Sequence, residues 1–276
     1  MPLKLMYITN SPDIAKIAES VGVNRIFVDM EYVGKEERQP GDTVKSSHTI
    51  EDVKKIRNCI STAELLVRCN PYTNDGFDSD GEIESIINAG ADIIMLPMAK
   101  DVDTIKRFCK KADGRVKTML LLETAEAVQC IDEILEFCPI DELHIGLNDL
   151  HLAYGKKFMF ELLTDGTVEK IIEKVKKYGI PYGFGGIARI GKGILPSERV
   201  ITEHYRLKSN AAILSRAFCN IKDIDDISEV SRIFSNGVAD IRRFENIAAS
   251  YSEREYEENR LATIEIVNKV VREIGG

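Results

Sequence analysis

Short apolar runs alternate with amphipathic stretches along most of the chain. The runs Leu3–Ile8, Arg25–Glu31, Glu64–Asn70, Ile93–Met98, Lys117–Glu123, Glu142–Leu147, Pro181–Ala188 and Ala211–Phe218 predict eight strands. Apolar residues at helical spacing predict helices over Pro12–Val21, Ile50–Ser61, Glu82–Ala89, Val102–Lys111, Ala125–Phe137, Val168–Tyr178 and Ser197–Leu207. The strand runs are mostly continuous, not alternating, as expected of a parallel sheet covered on both faces. Eight β/α units in about 250 residues have the size of a TIM (β/α)8 barrel. A doubly wound sheet would place a glycine fingerprint after its first strand, where this chain has Thr9-Asn10-Ser11-Pro12-Asp13. The predicted barrel spans 1–250.

Helix starts carry their usual signals. Ser11 precedes Pro12, and Thr49 precedes Ile50, Glu51 and Asp52. The segment Tyr32–His48 after the second strand is long, charged and interrupted by glycine and proline, which suits a lid or substrate loop. Ile227–Ile274 reads as two helices, more than a barrel needs. The second, within 251–276, has an apolar stripe that predicts packing on a neighbouring subunit.

Composition narrows the choice. The chain has 276 residues, 44% of them hydrophobic, enough for one large core. A net charge of −8 and the lack of a basic stripe interleaved with aromatics argue against nucleic acid as a partner. No apolar run approaches the ~18 residues needed to cross a bilayer. The start MPLKLMYITN lacks a signal-peptide core, so a cytoplasmic location is expected. The six cysteines form no C-x-x-C pair and read as reduced core thiols.

In a barrel, chemistry belongs at the C-terminal ends of the strands. Those positions carry Asp29, Glu31, Arg68, Asn70, Pro97, Glu123, Asn148, Asp149, Gly185, Gly186, Ser215 and Arg216. Glu123 and Asp149 lie about one β/α unit apart, each closing an apolar run, so neighbouring parallel strands would bring both carboxylates to one rim. Two such oxygens can hold Mg²⁺ or Mn²⁺ and leave positions for water and substrate. The same residues could instead serve as helix starts, where carboxylates are common. Arg68 could bind a substrate carboxylate and stabilise an oxyanion, or form an ion pair with Asp29 or Glu31. Asp29 and Glu31 share a strand face and could orient Arg68, hold water, or act as acid or base. The loop Gly186-Ile187-Ala188-Arg189-Ile190-Gly191-Lys192-Gly193 offers two cations and backbone amides for an anion, or is an ordinary flexible loop. His144 lies inside a strand and reads as packed, and His151 follows Asp149 closely enough to support a ligand.

The segments FVDMEY, VRCNPYTND, GADIIMLPMAKD, LLETAEAV and HIGLNDLHLAYG, in this order from about Arg25 to Gly155, resemble the HpcH/HpaI aldolase and citrate lyase β-subunit family. The resemblance implies a barrel of the phosphoenolpyruvate/pyruvate superfamily. It implies Mg²⁺ or Mn²⁺ on Glu123 and Asp149, and Arg68 beside a 2-oxo-acid carboxylate and enolate oxygen. It also implies homo-oligomers, trimers or hexamers with exchange of C-terminal helices. The chain departs from the family's D-x-E-H pattern at Asp29-Met30-Glu31-Tyr32, where a tyrosine stands in place of the acid/base histidine. The acyl-CoA lyase branch also lacks that histidine, and its R-x-N-P is similar to Arg68-Cys69-Asn70-Pro71.

The leading expectation is therefore a metal-dependent carbon–carbon lyase working through a pyruvate-like enolate. Arg68, Asp29 and Glu31 would be catalytic, and Arg68, Asn70, Pro97, Arg189 and Lys192 would bind the small anionic substrate. Two alternatives stay open: a citryl- or malyl-CoA-like lyase whose carrier phosphate meets Arg189 and Lys192, and a weakly catalytic 2-oxo-acid-binding member.

Overall fold

The computed structural model describes residues 1–34, 48–73, 76–221, 224 and 226–275. Eight parallel strands close into a barrel in sequence order. They are β1 Lys4–Ile8, β2 Arg25–Asp29, β3 Glu64–Arg68, β4 Ile93–Leu96, β5 Lys117–Leu122, β6 Glu142–Ile145, β7 Tyr182–Ile187 and β8 Ala211–Leu214. Around them, among the described residues, run α1 Pro12–Ser20, α2 Ile50–Arg57, α3 Ser79–Asn88, α4 Val102–Ala112, α5 Ala125–Gln129, α6 Ile131–Phe137, α7 Leu147–Ala153, α8 Glu161–Thr164, α9 Thr167–Lys177, α10 Ser197–Arg206, α11 Ile227–Ala249 and α12 Glu253–Gly275.

All eight expected strands are present, though most end earlier than the apolar runs suggest. The overrun has a physical cause. A residue just past the last ladder bond is still enclosed by the neighbouring strands and loops, so it stays buried without being a strand. Glu31, Asn70, Pro97 and Glu123 are of this kind. The run Glu142–Leu147 contains the largest misreading. The strand stops at Ile145, Gly146 turns the chain, and Leu147 already begins α7. Asp149 consequently sits in the first turn of a helix and not at a strand end.

Period-two alternation divides the core in two. Met6, Phe27, Leu66, Ile93, Met95, Met119, Leu121 and Ala211 fill the barrel interior as one cluster. The larger cluster lies between strands and helices. An ion network closes the barrel's N-terminal end. Arg25, wholly buried, donates through two nitrogens to Glu142 at 2.7 and 2.6 Å and through Nε to Glu64 at 2.8 Å. Burial alone would raise the pKa of Glu64, but hydrogen bonds from Lys117 and Arg25 hold it at about 2. This plug bars the N-terminal end, so access is from the C-terminal mouth.

The local grammar fixes where the helices begin. Ser11 caps α1 with Pro12 behind it, and Thr49 and Asp52 form a reciprocal capping box on α2. Asp101 caps α4, and Thr124 caps α5. The two C-terminal helices expected from the sequence are α11 and α12. The buried side of α12 packs on its own chain: Asn259 Nδ2 donates to Glu203 of α10 at 3.0 Å, and Val267 is fully buried. No helix of the described residues is long and apolar enough to cross a membrane.

Candidate functional site

Strand register assembles the centre. Asp29 and Arg68 are register partners on β2 and β3. Arg68 donates through Nε and Nη2 to the two oxygens of Asp29 at 2.8 and 2.7 Å. Its Nη1 lies 3.3 Å from Glu31 Oε2. The guanidinium rests over the Phe27 ring, 5.8 Å from its centroid. Asp29 and Glu31 are both nearly inaccessible, while Arg68 keeps a small exposed face on the mouth cavity. Burial opposes the Arg68 charge, but Asp29, Glu31 and Glu123 outweigh it and raise its pKa. Arg68 is thus a fixed cation, held by two carboxylates and presenting its remaining N–H bonds to the cavity. Asp29 is committed to this clamp, which makes it a positioning residue.

Glu123 follows β5 and is held from three sides. Thr124 donates to the Ala99 carbonyl at 2.6 Å and accepts from the Ala127 amide at 3.2 Å, which locks the turn after the strand. The cap of α5 is therefore Thr124, and the Glu123 carboxylate is left for the mouth. Met98 donates its amide to Glu123 Oε1 at 3.1 Å from a left-handed backbone with φ of 53°. A side chain at such φ carries a cost, and the observed outlier sits beside the acid it serves. Behind Glu123, Gly146 leaves no room for a side chain: a Cβ there would lie 2.8 Å from both Glu123 Cβ and Oε2. Burial pushes the Glu123 pKa up to about 8, with Arg68 opposing and Asp149 and Glu31 adding to the rise. Asp149 lines the same cavity.

The centre therefore gathers four carboxyls around one guanidinium. A carboxyl that keeps its proton near neutral pH because it is buried, with neighbouring acids adding to the effect, is a place where added positive charge is favourable. The residues fit a divalent cation held by Glu123 and Asp149, with oxygens of water or substrate filling the other positions. Among the described residues, no three Asp, Glu, His or Cys side chains form a ready-made cage. Gly146→Ala is expected to displace Glu123, weaken Mn²⁺ binding at least tenfold and cost about 1–3 kcal/mol through overpacking. Titration calorimetry and thermal melts would check both, and wild-type Mn²⁺ affinity in the variant would count against Glu123 as a ligand.

Several sequence candidates lie elsewhere. Asn70 was expected to bind substrate, but its side chain is spent on the chain around it. It accepts from the amides of Tyr32 and Val33, both at 2.9 Å, and donates to Glu82 Oε1 at 2.7 Å. It shapes the turn after β2 and does not line the cavity. Pro97 is buried and also absent from the lining. Arg189 turns away from the mouth: its stem lies under Gly237 of α11. Lys192 is exposed and does not line the cavity either, so the anion loop expected from these two cations is not what the cavity meets. Gly193, Ile194 and Leu195 of the same segment line it instead. Tyr32 is exposed, edge-on to Phe77 at 6.2 Å. Most of the expected lid, residues 35–47, lies outside the described residues.

Other contributors were not legible. His48 accepts the Asp29 amide on Nδ1 at 3.0 Å, which places its ring proton on Nε2 and ties the start of α2 to the end of β2. His144 forms part of the cavity floor and bonds the Gly185 carbonyl through Nε2 at 3.1 Å. The cavity measures about 430 Å³.

A closed parallel barrel, plugged at one end and bearing a buried arginine–carboxylate cluster at the other, defines a (β/α)8-barrel protein with an acidic mouth. The chain belongs to the HpcH/HpaI aldolase/citrate lyase family, whose model matches residues 4–182. That family is one of aldolases and lyases, and the match extends beyond the Arg25–Gly155 stretch on which the resemblance rested. No curated protein matches the chain.

Solved structures share the fold at low identity. An HpcH/HpaI aldolase from Desulfitobacterium hafniense DCB-2 superposes with a TM-score of 0.60 at 15% identity, over 87% of this chain and 93% of that one. An HpcH/HpaI aldolase/citrate lyase family protein from Burkholderia cenocepacia J2315 gives 0.62 at 15% identity, over 83% and 94%. Citrate synthase SbnG gives 0.58 at 16% identity, over 89% and 95%.

Proposed function

We propose that this protein is a divalent-metal-dependent carbon–carbon lyase acting through the enolate of a pyruvate-like 2-oxo acid. The observation that carries the reading is the desolvated Arg68, clamped by Asp29 and Glu31 and facing the same cavity as Glu123 and Asp149. Mg²⁺ or Mn²⁺ held by Glu123 and Asp149 would supply Lewis-acid stabilisation of the enolate oxygen. Arg68 binds the substrate carboxylate and shares the developing charge, and its clamp keeps it from reorganising as that charge forms. Glu31 also touches Arg68, and a water between it and the substrate would carry the proton for which Tyr32 is not placed. The plug at the opposite end and the apolar interior beneath Phe27 exclude bulk water from below. Homo-oligomer assembly and a cytoplasmic location complete the proposal.

The thioester alternative relied on Arg189 and Lys192 reaching a carrier phosphate. Neither lines the cavity, so the two cations on which that reading relied are not part of the site.

The test is exchange of pyruvate methyl protons in D₂O, followed by NMR with Mg²⁺ or Mn²⁺ and against EDTA. Exchange that requires the metal is expected. Without metal, Glu123 holds a proton below about pH 8, so Mn²⁺ must displace it and metal affinity should weaken as pH falls below that value. Absence of exchange with metal demonstrably bound would sink the proposal.

A further inference from the structure

The charged centre makes up only part of the lining of the mouth cavity. Much of the rest is apolar, from Leu147, Phe158, Met159, Phe160, Ile194 and Leu195. These residues come from three places: the start of α7, the stretch before α8 and the stretch between β7 and α10. Their disposition is held by packing. Phe158 and Phe160 meet edge-to-face with centroids 5.3 Å apart, and both are buried. Ile194, by contrast, is 71% exposed although it lines the cavity, which leaves a large aliphatic side chain at the mouth with most of its surface bare.

Space for an occupant comes from β7. Its sequence Tyr182-Gly183-Phe184-Gly185-Gly186-Ile187 places no side chain at Gly185 or Gly186, both of which line the cavity. Gly185 has φ of 49°, and a Cβ there would lie 2.7 Å from Leu147 Cδ1. The glycines thus let Leu147 lean over the sheet and keep the chamber open. The polar groups that share the lining with these apolar residues, besides the charged centre, are His144, Asn148, Ser215 and the solvent-exposed Arg216.

We infer that the second half of the substrate, the group attached beyond the enolate carbons, is an uncharged apolar chain or ring seated against Phe158–Phe160 and Ile194–Leu195. This rests on the proposed 2-oxo-acid reading for the anchoring of the carboxylate end. Burying each methylene of such a chain should tighten binding about fourfold. A carboxylate seated among Phe158, Phe160, Ile194 and Leu195 would lose its hydration and gain no hydrogen bond from those side chains.

The test compares three ligands in the presence of Mn²⁺ by titration calorimetry: pyruvate, 2-oxohexanoate, and 2-oxoadipate, which has the same chain length with a terminal carboxylate. The expected result is 2-oxohexanoate binding at least tenfold more tightly than both of the others. Equal affinities, tighter binding of 2-oxoadipate through Arg216, or no binding of 2-oxohexanoate would each overturn the inference. Ile194→Asp, at a position exposed enough to tolerate the change, should lower the 2-oxohexanoate to 2-oxoadipate preference at least tenfold. The readout is a ratio within one protein, so loss of folded material does not move it, and an unchanged ratio would also count against the inference. The D₂O exchange assay separates the two claims. Exchange without a tail preference removes the apolar chamber and leaves the lyase reading, whereas a tail preference without exchange does the reverse.

Discussion

Arg68→Met is expected to reduce metal-dependent pyruvate exchange by roughly 10²–10³-fold, the range seen when a preorganised donor to a developing oxyanion is removed. The same substitution should destabilise the fold by roughly 3–5 kcal/mol, because Asp29 and Glu31 would be left buried without their cation. Both carboxylates are nearly inaccessible, and Asp29 has its two oxygens on the guanidinium. Urea unfolding at neutral pH and the exchange rate would be read on the same preparation. The double variant Arg68→Met with Asp29→Leu should recover part of the stability and none of the exchange, since it removes one stranded charge but restores no donor. Near-wild-type exchange in Arg68→Met would mean that the arginine is only a structural ion-pair partner.

Acid should unmask two buried histidines. His204 stacks on Phe184 with centroids 3.8 Å apart and bonds Ser209 Oγ through Nδ1 at 2.9 Å. Burial, with repulsion from His144 adding to it, pushes the His204 pKa down to about 3. Burial also lowers that of His144, to about 4, against the opposing bond to Gly185 and with help from Arg25. Below the ordinary histidine pKa of about 6.5, the unfolded chain takes up these protons and the folded chain does not. The histidine contribution is therefore complete above about pH 6.5 and is lost as pH falls toward 4 and 3.

Glu123 works in the opposite sense. Its raised pKa makes the folded state the better proton binder between about 4.5 and 8, so stability from that group increases on acidification. Replacing one histidine isolates its share. The stability of His204→Phe relative to wild type should improve by about 1.4 kcal/mol for each pH unit between about 6.5 and 4.5. Urea midpoints at matched pH would measure this, and a pH-independent difference would show that His204 titrates alike in both states.

How much of this was legible beforehand varies from residue to residue. Asp29, Arg68 and Glu123 could be singled out because each follows an apolar run, and in a parallel barrel the residue after such a run must lie near the active mouth. Asn70 satisfied the same rule and failed, because its amide is satisfied by Glu82 and the turn at Tyr32 and Val33, partners remote in sequence. Arg189 and Lys192 looked like an anion site because loop sequences reveal charge but not direction. Met98 and Gly146 carried no signal at all, since their roles depend on the position of the Glu123 carboxylate. The helix at Leu147 was hidden by an apolar residue that serves equally well as a strand end or a buried first turn.

The alternation of apolar runs and amphipathic stretches determined by itself that this chain is an eight-unit barrel, because periodicity and parallel burial are local properties of the sequence. The position of acids and an arginine at strand ends determined that its mouth would be charged. Only the tertiary structure decided what those charges do. Register placed Asp29 against Arg68 and made it a clamp, and packing against Gly146 and Met98 buried Glu123. Closure of the barrel brought the apolar segments at Phe158–Phe160 and Ile194–Leu195 into the same cavity as the charged centre. Such pairings join residues far apart along the chain, and a contact of that kind is created by the closing of the barrel and has no counterpart in the local pattern.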